Sequence, residues 1–160
     1  MKRSALGVLL LFFAAAASAG QWRYSDSTDK MTGKTESFAY IESDNSLSLE
    51  RPYHGVNRGT ITVRRHPKYG LDVLVSIEKG QVLCRSYDPC TIGVRFDDGK
   101  PQRFSALPPA DHSSETVFIT NKTKFIASAR KAKRILVQLP IYRNGEPVLE
   151  FSTPVELVWK

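Results

Sequence analysis

Leu71-Asp72-Val73-Leu74-Val75-Ser76-Ile77-Glu78 is the stretch from which the fold is read. Leu71, Val73, Val75 and Ile77 recur with a period of two, and Asp72, Leu74, Ser76 and Glu78 take the opposite face. Strict alternation marks a half-buried β-strand, because successive side chains of an extended chain point to opposite faces. Upstream, Thr60-Ile61-Thr62-Val63-Arg64 alternates in the same way, Phe38-Ala39-Tyr40-Ile41 is a further candidate, and Leu47-Ser48-Leu49 is a short one. Downstream, Thr91-Ile92-Gly93-Val94-Arg95-Phe96 leads into Asp98-Gly99, a pair suited to a tight hairpin turn.

The apolar run from Ile135 to Arg143 continues through Asn144-Gly145 to Pro147-Val148-Leu149-Glu150-Phe151, which predicts a second hairpin. Pro140 in its first arm points to an edge or a bulge, since proline has no amide to give a sheet ladder. One helix is expected from about Lys122 to Arg134, with Asn121 as its N-cap and Phe125, Ala129 and Ala132 as its apolar stripe. These connections are too short for parallel crossovers. The fold class is therefore mainly β (α+β): an antiparallel β-sandwich or a curved sheet with one packed helix near 122–134.

The ends and composition set the compartment. Lys2 and Arg3 precede an apolar run from Ala5 to Ala17, and Ala17-Ser18-Ala19 provides the small residues of a cleavage site. This is the pattern of a secretory signal over residues 1–19, followed by one β-rich domain over 20–160. The apolar run is too short for a spanning helix of roughly 20 residues. Cys84 and Cys90 are the two cysteines of the chain, and in an oxidising compartment they read as a disulfide closing a short turn. A periplasmic or secreted location follows as the expectation.

The chain carries 23 Lys and Arg against 16 Asp and Glu, a formal charge of +7. Two basic groups stand out: Arg64, Arg65 and Lys68 beside the third strand-like run, and Lys124, Arg130, Lys131 and Arg134 on the expected helix. They form a candidate surface for weak contact with an anionic polymer or lipid; a plain solvated helix face is the competing reading. Export and modest charge argue against nucleic acid as the partner.

The familiar catalytic patterns are poorly met. Gly33-Lys34-Thr35 resembles the end of a phosphate-binding loop, but Thr28 stands where that loop needs its first glycine. Asp111-His112-Ser113-Ser114 gathers triad residue types side by side, whereas a triad draws them from separate elements. Asp97 and Asp98 flank a hairpin glycine and lack the contrasting environments of an acid–base pair. His54, His66 and His112 lie in separate turn-rich segments, so no metal, cofactor or catalytic residue is expected. A small hydrolase remains an alternative in which distant loops carrying His54, His66 and Asp111 converge.

Trp22, Asp29, Met31, Thr32 and Gly33 follow directly on the expected signal. This opening, with a strand ending in basic residues near Arg64, the stretch Phe118 to Phe125 leading into the helix, and a terminal hairpin ending on Phe151, resembles small exported bacterial proteins of the VasI type, accessories of type VI secretion. More loosely it is similar to the invasion-associated locus B proteins. The resemblance implies a β-sandwich-like envelope protein without catalytic residues, and it makes Trp22, Asp29, Met31, Thr32 and Gly33 candidates for partner binding. Trp22 in the core edge and Asp29 in a turn is the competing structural reading. The expected function is non-enzymatic binding of another envelope protein, as an accessory to secretion or host interaction.

Overall fold

A computed structural model describes residues 20–84 and 90–159. The expected signal at 1–19 and the segment 85–89 between the cysteines lie outside the described residues. The elements are β1 (Arg23–Thr28), β2 (Thr35–Glu42), β3 (Gly59–His66), β4 (Gly70–Ile77), β5 (Cys90–Phe96), β6 (Gln102–Leu107), β7 (Thr116–Ile119), α1 (Lys122–Ala129), β8 (Arg134–Gln138) and β9 (Val148–Ser152).

All nine strands belong to one antiparallel sheet, in the order β1-β2-β3-β4-β7-β6-β5-β8-β9. The first four form a meander. The next three form a second meander laid down in reverse, so that β7 returns to pair with β4. After α1 the chain joins the far side of β5 as β8, and β9 completes the sheet through the second hairpin. A single sheet selects the curved-sheet form of the expected architecture over two stacked sheets.

Alternation builds the core. Ile61 and Val63 of β3, Val73, Val75 and Ile77 of β4, Ile92 and Val94 of β5, and Leu149 and Phe151 of β9 are all buried on one face. The curvature brings β9 opposite β3: a β-carbon on Gly59 would lie 2.3 Å from Leu149 Cδ1. Phe125 of α1 lies edge-on to Phe96 and Phe104, with ring centroids 5.5 and 5.8 Å away, and plugs the core from the helix side.

Several expectations are corrected. The helix starts as read, with the Asn121 side chain accepting from Lys124 N, but it ends at Ala129. Arg134 is the first residue of β8, because Ile135 and Val137 bury between β5 and β9 and their two ladders outweigh helical spacing. Leu47 and Leu49 are buried without strand pairing. Pro140 lies beyond β8, in the connection to β9. In the β5–β6 turn the left-handed residue is Asp97, with φ 49°. β6 is the returning arm of the hairpin read at Asp98-Gly99, whereas β1 and β7 had no counterpart in the sequence reading. The Cys84–Cys90 disulfide is present, and it pins the connection into β5 rather than a hairpin between neighbouring strands.

Candidate functional site

The side-chain alternation of the β3–β4 hairpin continues past the core. Arg65 pairs with Leu71 in the ladder, on the same face as Val63 and Val73, but beyond the edge of the apolar cluster. Ile126 of α1 packs over this end, and the C-terminal segment crosses it. Three attachments hold that segment: Leu157 is buried, Val158 N donates to the Tyr24 hydroxyl at 2.9 Å, and the Arg130 guanidinium donates to the Trp159 carbonyl.

Between these parts lies a cleft of about 480 Å³. Leu71, Ile126, Ala127 and Trp159 give it apolar surface, Thr123 a hydroxyl, and Arg65, Arg130 and Lys131 a cationic rim; among the described residues no Asp or Glu side chain lines it. A second hollow of about 550 Å³ lies between Trp159 and β1–β2, bordered by Tyr24, Asp26, Ser37 and Phe38, and it shares Arg65 and Trp159 with the first. Low-dielectric walls beside fixed cations strengthen attraction for an anion. Such a site can hold a carboxylate or phosphate attached to an apolar body.

Only part of the expected basic surface converges here. Arg64 faces the other side of the sheet, where it pairs with Asp72 at 2.7 Å and Glu36 at 3.5 Å. Lys122 closes on the same Asp72 at 3.4 Å and donates to Leu71 O at 2.6 Å. Lys124 lies over the Phe104 ring, Lys68 over Tyr69 in the β3–β4 turn, and Arg134 is paired with Asp98 at 2.9 Å. The single basic helix face expected from the spacing is thus divided, because the helix ends before Arg134 and Lys124, Arg130 and Arg134 each turn to a different partner.

The Trp22 to Gly33 group is also divided. Trp22 is buried in the core before β1, and Asp29 stands after it, separated by a strand of about 20 Å at strand rise. Asp29 Oδ1 accepts from Met31 N at 2.9 Å, Thr32 N at 2.7 Å and Thr32 Oγ1 at 2.9 Å. The Thr32 amide, then its hydroxyl, holds the Asp29 carboxyl below the ordinary aspartate range. Gly33 supplies the positive φ of 66° that the turn requires, and Met31 is fully out in solvent.

Asp111 and Ser113 likewise make a local turn, with Ser113 N donating to Asp111 Oδ1 at 3.0 Å, which lowers the Asp111 pKa. His66 accepts from Lys68 N and Tyr69 N at the β3–β4 turn, whereas Asp111 precedes β7 at the other end of β4. Those two members of the proposed loop-built hydrolase site are therefore kept apart. Among the described residues no three His, Cys, Asp or Glu side chains gather as a metal site.

The sequence reading missed Leu71, Ile126, Ala127 and Trp159 as site residues. Leu71 and Ile126 look like ordinary core positions, and only the fold shows that they sit at its margin. No family model, curated protein or solved structure matches this chain.

Proposed function

We propose that this chain is an exported, non-enzymatic binding domain that holds an acidic segment of an envelope protein in the cleft between α1, the β3–β4 hairpin and Trp159. The observation that carries this reading is the lining itself: three cations and, among the described residues, no Asp or Glu side chain around an apolar floor. Charges on the rim steer an acidic partner and set its register, and the apolar floor supplies the burial that charge alone lacks. The Cys84–Cys90 disulfide is compatible with an oxidising compartment, which supports export through the expected 1–19 signal. An accessory role in secretion or host interaction, implied by the VasI-like opening, is the biological setting we favour.

The test is capture by the purified protein of partners from its own envelope extract, with washes of rising salt. Wild-type protein is expected to retain an acidic protein that elutes as salt is raised, because exposed charges are screened within about 10 Å at 0.1 M. Lys131→Glu, which leaves the Arg130 attachment to Trp159 in place, is expected to lose several-fold in retention with an unchanged melting temperature, and the Arg130→Glu, Lys131→Glu variant at least tenfold. Equal retention by that variant rules out the cleft. The same lining also suits an anionic lipid headgroup, so binding to phosphatidylglycerol vesicles with no retained protein would select that second reading.

A further inference from the structure

The chain treats the two edges of its sheet differently. Along β9 the outer backbone groups are taken: Asp44 N donates to Glu150 O at 2.7 Å, Glu150 N donates to Asn45 Oδ1 at 2.9 Å, Asn45 Nδ2 donates to Val148 O at 2.9 Å, and Ser152 N donates to Asp44 Oδ2 at 2.6 Å. The β1 edge receives no such cover. Asp29 N donates to Lys34 O at 2.9 Å, and antiparallel pairs alternate between bonded and unbonded. Arg23, Ser25 and Ser27 therefore turn their backbone groups toward β2, and Tyr24, Asp26 and Thr28 turn theirs outward. Among the described residues nothing pairs with that outward row, and all six residues of β1 are exposed.

Exposed edges ordinarily carry a proline, an inward charge, a bulge or a lysine that discourages pairing. β1 reads Arg-Tyr-Ser-Asp-Ser-Thr and pairs with β2 in unbroken register over its full length, with no proline, bulge or lysine; its one inward charge is Asp26, which lies in the same hollow as Arg65. Its inward-facing Tyr24 and Asp26 border the hollow beside Trp159, which shares Arg65 with the basic cleft. A row of alternating donors and acceptors at strand spacing is matched by one kind of ligand, another extended backbone.

We propose that β1 is a docking edge at which an extended, acidic segment of a partner protein adds as a further antiparallel strand, its inward side chains lying over the hollow toward Arg130 and Lys131. This rests on the binding role assigned to the cleft and adds how the segment is held. A second copy of the chain fits less well: its own β1 carries Arg23 with a single carboxylate, and each copy brings the same cationic rim and an excess of Lys and Arg over Asp and Glu. Main-chain bonds to β1 supply affinity regardless of sequence, and the acidic side chains over the basic cleft supply choice of partner.

Backbone amide exchange, read by NMR on the disulfide-bonded protein, tests this with the synthetic peptide Ac-Glu-Val-Thr-Val-Glu-Val-Thr-Val-Glu-amide at low salt. The amides of Tyr24, Asp26 and Thr28 are expected to exchange at least tenfold more slowly when the peptide is bound. Asp26→Pro removes one outward donor and leaves the β2 ladder intact, because that amide does not face β2; it is expected to weaken binding at least tenfold. Should that variant melt early, the same peptide N-methylated at alternate residues replaces it, and equally tight binding by the methylated peptide overturns the proposal. Shifts confined to residues around Arg130 and Lys131, without protection of β1, overturn the docking edge and leave the cleft reading standing. Protection of β1 that survives Arg130→Glu, Lys131→Glu unchanged supports the edge and removes the cleft. Protection that rises with protein concentration without peptide, together with a dimer in sedimentation, assigns the edge to a second copy and overturns the proposal. A peptide that leaves both regions unmoved overturns both readings.

Discussion

Asp29 shows how one residue does structural work that a motif can disguise. Its carboxylate gathers two amides and a hydroxyl from Met31 and Thr32, and these donors favour the charged form. Because the folded pKa is depressed, the stabilisation is fully present above the unfolded value of about 3.9 and is lost as pH falls through the lower folded value. The Met31 and Thr32 amide shifts are therefore expected to titrate with a midpoint below that of an ordinary aspartate, and Asp29→Asn is expected to abolish the titration. A midpoint at or above about 4 contradicts this. Residue identities made Asp29 legible as a turn former. They could not show that Trp22 lies at the far end of β1, buried in the core, so residues that read as one group in the sequence stand a strand length apart in the fold.

Among the elements, α1 and β8 mark where local pattern and tertiary pairing part. The Asn121 cap was visible from the sequence and does what a cap does: its side-chain oxygen accepts from Lys124 N at 3.2 Å. Asn121→Ala is expected to lower unfolding stability by about 1 kcal/mol, and Asn121→Asp, which keeps the acceptor, by a few tenths at most. Urea unfolding of the two variants checks this; equal losses would show that the amide group, not the acceptor, matters. The far end of the helix was not legible in the same way. Ala132 and Arg134 fit a helical period, yet Ile135 to Val137 bury between two strands that lie far away in sequence, and no window of neighbouring residues contains that information. The same holds for β7, a short segment whose strand state depends on pairing with β4. The long alternating runs of β3 and β4 needed no such help, because their buried faces are written at a period of two.

At the scale of the molecule, a nine-stranded open sheet must dispose of two edges, and this one closes the β9 side with side chains in place of a strand. Asn45 substitutes for a peptide unit: its amide presents a donor to Val148 O and an acceptor to Glu150 N, the pair that a neighbouring strand residue would supply. That closure links the segment after β2 to the last strand, more than a hundred residues on, and helps set the curvature that brings Leu149 against Gly59. Losing both bonds in Asn45→Ala is expected to lower stability by about 1–2 kcal/mol, since each exposed hydrogen bond contributes roughly 1 kcal/mol net. Asn45→Asp retains the acceptor for Glu150 N but turns an oxygen onto the Val148 carbonyl, and is expected to lose at least as much. Ser48→Ala, an exposed change in the same segment, is expected to stay within about 0.5 kcal/mol. Urea unfolding of the three variants decides the matter, and hydrogen exchange localises it: the Glu150 amide should lose protection in Asn45→Ala while the Val63 and Val73 amides keep theirs. If Asn45→Ala proves as stable as Ser48→Ala, the β9 edge is held by packing of Leu149 and Phe151 alone, and the side-chain ladder contributes nothing to closure.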